Sequence, residues 1–180
     1  MYYLKMEICS DETVNKLWEF INNAKSDDWW REDGNVEWRI RIPSEIFDNT
    51  KQTKWILSKF VEPYRCYIQR LEPNTCYNWH TDSNRNASLN MCLNLYDKSC
   101  TLYGQPAQGY HIRDMHPLNY QKNTMYLVDG TKPHCGLNFS NETRYLVSIS
   151  ITRPINFAMM FKFLQQQFPD LYEDRFVNLF

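Results

Sequence analysis

With 180 residues and a mass of 21.8 kDa, the chain is long enough to enclose one substantial core and short for two. Hydrophobic residues make up 43% and charged residues 23%, and no apolar run is long enough to span a bilayer. The net charge of −1 speaks against a dedicated nucleic-acid binder, which needs a net basic face, while leaving room for a local basic groove.

The opening residues, MYYLKMEICSDE, show neither the basic n-region nor the apolar h-region of a secretory signal, so a cytoplasmic protein is expected. In that setting the six cysteines (Cys9, Cys66, Cys76, Cys92, Cys100, Cys135) are expected to be reduced, and the absence of any CxxC pair leaves a four-cysteine zinc site without support. Residues 2–8 read as a first strand. Ser10 then serves as an N-cap for an amphipathic helix over 11–25, with Val14, Leu17, Trp18 and Ile21 on one face. Residues 36–42, VEWRIRI, alternate cleanly as a half-buried strand with Glu37, Arg39 and Arg41 on the polar side. A short helix over 50–60 ends at Glu62-Pro63.

From residue 64 onward the pattern is nearly all β. Residues 64–71 form a strand and 72–75 a turn. Residues 88–95 alternate Leu89, Met91, Leu93 and Leu95 against Ser88, Asn90, Cys92 and Asn94. Residues 123–130 end in an Asp-Gly turn, and 144–151 alternate again. An apolar segment over 155–168 follows Pro154 as a helix. The pattern predicts one domain over 1–180, mainly β with flanking helices around a double-stranded β-helix, or jelly-roll, core; another all-β sandwich would give a similar string. Segments 26–35 and 96–122 are left as loops that could contact a substrate.

The chemistry-bearing residues fall in the β-rich part. His80 and Asp82 stand two apart, and on extended backbone they point the same way. A third neutral imidazole would complete a facial metal site with three open positions. Among His111, His116 and His134, the best placed is His134, after a strand and its Asp-Gly turn; His111 is a weaker substitute. Arg144 begins an alternating strand with Leu146, Ser148 and Ser150 on its side. A cation inside a barrel needs an anionic partner, which a dicarboxylate ligand could supply through paired hydrogen bonds. Taken singly, each of these residues has a plain structural explanation: a polar turn, a surface histidine, an arginine paired with Glu142. Their conjunction, in this order, favours a site. Cys92 and Cys135 read as packing residues rather than nucleophiles, and DDWWRED over 27–33 as flank filling rather than a substrate patch.

HxD, a histidine roughly fifty residues later and an arginine ten beyond that resemble the iron(II)/2-oxoglutarate-dependent oxygenases, over about residues 64–152. The resemblance implies a cupin-like double-stranded β-helix with His80, Asp82 and His134 as iron ligands. It implies Arg144 as the partner of the 2-oxoglutarate C5 carboxylate, and O2 as co-reactant. Tyr77 matches an aromatic position near the metal in prolyl-hydroxylase-like members, and Arg70 or Asn90 could also face the site. The carboxylate of Asp82 resembles the hydroxylating and demethylating branches rather than the halogenating one. The implied reaction hydroxylates a C–H bond and releases succinate and CO2. Nucleic-acid demethylases of this superfamily carry a second arginine six residues after the first, where this chain has Ser150; the next arginine here is Arg153. A peptidyl, protein or small-molecule substrate is therefore expected ahead of nucleic acid, in a prolyl- or aspartyl/asparaginyl-hydroxylase-like enzyme. Two readings from other classes stand beside this one: a cupin-like binding module without turnover, and a metal enzyme that does not use 2-oxoglutarate.

Overall fold

The computed structural model describes residues 1–31, 36–62, 65–96, 98–107 and 111–171. In chain order the regular elements are β1 (Tyr3–Ile8), α1 (Asp11–Asn23), β2 (Glu37–Arg41), α2 (Gln52–Phe60), β3 (Cys66–Leu71), β4 (Thr75–Cys76) and β5 (Ala87–Cys92). They continue with β6 (Ser99–Pro106), β7 (Ile112–Leu118), β8 (Thr124–Asp129), β9 (His134–Asn138), β10 (Arg144–Ser150) and α3 (Phe157–Gln167). The expected helix terminator Pro63 and the strand start Tyr64 lie outside the described residues.

The helices begin where local chemistry allows. Ser10 Oγ accepts the Thr13 N–H at 3.2 Å and caps α1, and Asn156 Oδ1 accepts the Met159 N–H at 3.0 Å and caps α3. α2 has no side-chain cap of its own. Glu7 on β1 takes that part, accepting the N–H groups of Lys51, Gln52 and Thr53, so a carboxylate sits on the positive end of the helix.

All strand pairs within the sheets are antiparallel. One sheet has six strands in the order β1-β8-β5-β10-β3-β2, and the other four in the order β4-β9-β6-β7. The two form the jelly-roll. The outer face of the large sheet carries Ile68, Leu89, Met91, Leu127, Val147 and Ile149, which join Leu17, Ile56, Met160 and Leu164 of the helices in the main core. A smaller cluster of Cys92, Tyr103, Leu118, Tyr120, Tyr126 and Val128 lies between the sheets. All six cysteines are free.

Three sequence expectations change. The strand expected over 88–95 stops at Cys92, every residue of β5 is buried, and Leu95 is 45% exposed. β5 lies in the middle of the large sheet with layers on both sides, so its polar residues face the barrel interior rather than water. Within 96–122, read as loop, the described residues include β6 and β7. β7 is an edge strand, exposed at five consecutive positions and carrying Pro117, which is why neither alternation nor propensity marked it. His134, which the sequence placed only after a strand and its Asp-Gly turn, begins a further strand, β9.

Candidate metal centre

The segment 77–82 zips onto 130–136. Tyr77 N–H donates to Gly136 O at 2.8 Å, His80 and His134 exchange backbone hydrogen bonds at 3.0 and 2.9 Å, and Asp82 N–H donates to Gly130 O at 2.8 Å. The two histidines are thus directly opposed across an antiparallel bridge, and their ring centroids are 4.3 Å apart. Asp82 lies just past the bridge, outside regular strand; its tie to Gly130, rather than a continuous ladder, keeps it on the histidines' side. One ligand atom from each of His80, Asp82 and His134 lies within 4.8 Å of the others, and Asp82 Oδ1 is 4.0 Å from His80 Nε2.

The ring orientations are set from behind. Nδ1 of His80 is 2.8 Å from Asn78 O, and Nδ1 of His134 is 2.8 Å from Lys132 O. A carbonyl can only accept, so Nδ1 carries the proton in each ring and the Nε2 lone pair is left for a ligand. Burial pushes the His134 imidazolium down to about 4, with the Asp82 carboxylate opposing and His80 assisting that shift, so the ring is neutral at neutral pH. For Asp82, burial alone would raise the carboxyl. The charge and hydrogen bond of Arg85, with the two histidines, outweigh it and hold the group below its ordinary value.

Behind the cluster lies a cavity of about 50 Å³ that ends on Arg144. Arg144 is 3% exposed and makes no ion pair among the described residues, Glu142 included. Its Nη1 donates to Cys100 O at 3.1 Å and its Nη2 to Thr101 Oγ1 at 3.0 Å, while the guanidinium lies 5.6 Å from the Tyr120 ring centroid. Among the described residues the Nε has no hydrogen-bond partner, and neither does Oδ1 of Asn90 on the same cavity wall. A Cβ on Gly136 would lie 3.3 Å from Arg144 Nη1, so the bare backbone there keeps space in front of the guanidinium. A buried cation without a carboxylate is costly. An anion placed in that space would offset the cost.

Beside the cavity lies an outer cleft of about 300 Å³, and Glu37, Gln69, Tyr77, His80 and Arg85 border both. Arg85 is the site residue that the sequence pattern did not reveal. Its Nε donates to Asp82 Oδ2 at 2.8 Å, and its Nη1 donates to Ser148 and Ser150 Oγ at 2.9 and 3.1 Å. A cation therefore does reach Ser150, from a different part of the chain. The polar side of β2, expected to meet solvent, supplies Glu37 and Arg39 to the cleft, with Trp30 and Tyr67 as aromatic walls.

The other sequence candidates divide by strand parity. Tyr77 sets its ring edge-on to His80, with centroids 4.4 Å apart, and lines the inner cavity with Asn90. Arg70 does not reach it: Gln69 and Leu71 face the cavity, and Arg70 turns to the opposite face, over Trp29 and Trp38 and 2.9 Å from Glu72. His111 and His116 are exposed and outside the cluster. Cys92 and Cys135 are buried, and burial pushes the Cys135 thiol up to about 12, which leaves it protonated. Within DDWWRED, Trp29 is buried in the main core and Trp30 lines the cleft; Glu32 and Asp33 lie outside the described residues.

No protein-family model and no curated protein sequence matches the chain. Solved structures do match. A prolyl-4-hydroxylase from Pseudomonas putida superposes with a TM-score of 0.63 at 13% identity, covering 85% of this chain and 93% of that one. A prolyl hydroxylase from Trichoplax adhaerens, in complex with a hypoxia-inducible-factor peptide fragment, gives 0.62 at 12% identity and covers 83% of each chain. HygX from Streptomyces hygroscopicus, solved with nickel, 2-oxoglutarate and hygromycin B, gives 0.58 at 9% identity, covering 86% of this chain and 84% of that one. At these identities the likeness is one of fold: the chain has the jelly-roll fold of the 2-oxoglutarate/iron(II) oxygenases.

Proposed function

We propose that the protein is an iron(II)- and 2-oxoglutarate-dependent oxygenase that hydroxylates a C–H bond of a peptidyl, protein or small-molecule substrate, releasing succinate and CO2. One observation carries this reading: His80, His134 and the buried Arg144, which has no carboxylate partner among the described residues, line one cavity, and His80 and Asp82 line the cleft beside it. The donor set fits the metal, since two neutral imidazoles and one carboxylate on one side are the ligands of non-haem iron(II) sites. Iron, when bound, supplies the oxygen chemistry that side chains lack.

The chain's own residues do the rest. His80 and His134 offer Nε2 because their Nδ1 protons are engaged by backbone carbonyls. Asp82 brings the negative charge. Arg144, held from behind by Thr101 and the Cys100 carbonyl, offers its remaining donors to the distal carboxylate of 2-oxoglutarate. Tyr77 and Tyr103 pack against the two histidine rings and limit the access of water to them. The outer cleft is the place for the substrate that is oxidised. Neighbours of the same fold were solved with a peptide in one case and with hygromycin B in another, in keeping with either substrate class. No described helix is long and apolar enough to cross a membrane, and a cytoplasmic setting would keep the free cysteines reduced.

The test is anaerobic addition of iron(II) and 2-oxoglutarate. A visible charge-transfer band is expected from the wild-type protein and not from Asp82→Ala. A folded wild-type protein that gives no band overturns the reading.

A further inference from the structure

We infer that Arg85 is a positioning residue that holds Asp82 so that only Oδ1 is offered to a metal at the His80–Asp82–His134 cluster. The inference rests on the metal reading above and assigns a task within it.

The two oxygens of Asp82 have different surroundings. Oδ1 faces the histidines, 4.0 Å from His80 Nε2. Oδ2 accepts the Arg85 Nε at 2.8 Å and lies against the backbone of Gly130, where an added Cβ would come within 2.6 Å of it. Rotation of the carboxylate would break the bond to Arg85 or drive an oxygen into Gly130. The arginine is itself anchored, because its Nη1 donates to both Ser148 and Ser150 on β10. These two hydroxyls stand on the strand face that begins with Arg144, so the clamp and the buried cation share one rigid element. Backbone bonds from Asp82 to Gly130 and from Gly130 to Asn86 close the turn around the carboxylate. A carboxylate held at one oxygen by a fixed guanidinium ligates through the other alone. That leaves one more coordination position open than a chelating carboxylate would.

The alternative is that Arg85 only pins the 81–86 turn to β10. Arg85→Lys separates the two, since it keeps the charge but cannot make the Nε bond and both serine bonds from one planar group. Metal-free wild-type and variant proteins are titrated with Co(II), below the melting temperature of both. The readouts are the dissociation constant and the visible d–d band, which reports coordination number. The expected result is a dissociation constant roughly 10- to 100-fold higher for Arg85→Lys, with an altered band. A Ser148→Ala/Ser150→Ala double variant, which keeps Arg85 and Asp82, should shift both readouts in the same direction by less. An Arg85→Lys protein that melts earlier but binds Co(II) within about twofold of wild type, with the same band, assigns Arg85 to the turn and overturns the inference. If Arg85→Lys does not fold, an unchanged constant and band in the double variant overturn it equally. A wild-type protein that binds no Co(II) is a different failure, removing the metal reading and this inference with it.

Discussion

The two faces of the large sheet come from the same strands and differ in almost everything else. On β3, β5 and β10 the residues Ile68, Leu89, Met91, Val147 and Ile149 point outward into the helix-covered core. Their immediate neighbours Gln69, Asn90 and Ser148 point inward, with Arg144 at the start of β10, toward a polar interior holding two arginines. A period of two divides the strands: one face supplies burial free energy, and the other carries the buried polar groups that border the cavity. Among the described residues, Arg144 Nε and Asn90 Oδ1 are unpartnered buried atoms on this inner face.

Substitutions can break this division. The largest expected effect is at the cluster: His134→Ala should abolish metal binding measured by calorimetry while leaving the far-ultraviolet circular dichroism unchanged. On the outer face Leu89→Ala, at a fully buried position, should cost about 2–5 kcal/mol in denaturant unfolding. Any part of that variant still folded should bind metal as the wild type does. Arg144→Met sharpens the contrast, because it should move two readouts in opposite directions. Affinity for 2-oxoglutarate should fall by about 2–5 kcal/mol, as expected for losing one partner of a buried charge pair. The ligand-free protein should be no less stable than wild type, since an uncompensated buried charge is removed. A ligand-free variant several kcal/mol less stable would mean that Arg144 is a structural residue. The smallest effect is expected at the edge strand β1: Glu7→Gln weakens the cap it lends to α2 and should cost about 1 kcal/mol, read as a lower thermal unfolding midpoint, with no change in metal affinity.

Much of this was legible in the chain, for reasons that differ by residue. Ser10 and the spacing of Val14, Leu17 and Ile21 mark α1 because a cap and a 3.6-residue period are local properties. β3 and β10 announce themselves by alternation. β6, β7 and β9 do not: one is an exposed edge, and the others owe their pairing to partners distant in sequence. Arg85 escaped notice because its partners are as far away as Ser148 and Ser150, and no pattern in one sequence links position 85 to position 150. The nearest available signal was its place three residues after Asp82. Arg70 misled for the complementary reason, since its strand was evident but not which face of it looked inward.

Composition, periodicity and the order of His80, Asp82, His134 and Arg144 by themselves determined the class of fold and the candidate residues, because those signals are carried by residue type and spacing along the chain. Tertiary structure alone decided that a bridge between positions 80 and 134 turns two imidazoles to one side, that Gly130 and Arg85 orient the carboxylate between them, and that the Arg144 guanidinium is buried without an acidic partner among the described residues. Those are distances between residues remote in sequence, set by how the sheets pair and pack.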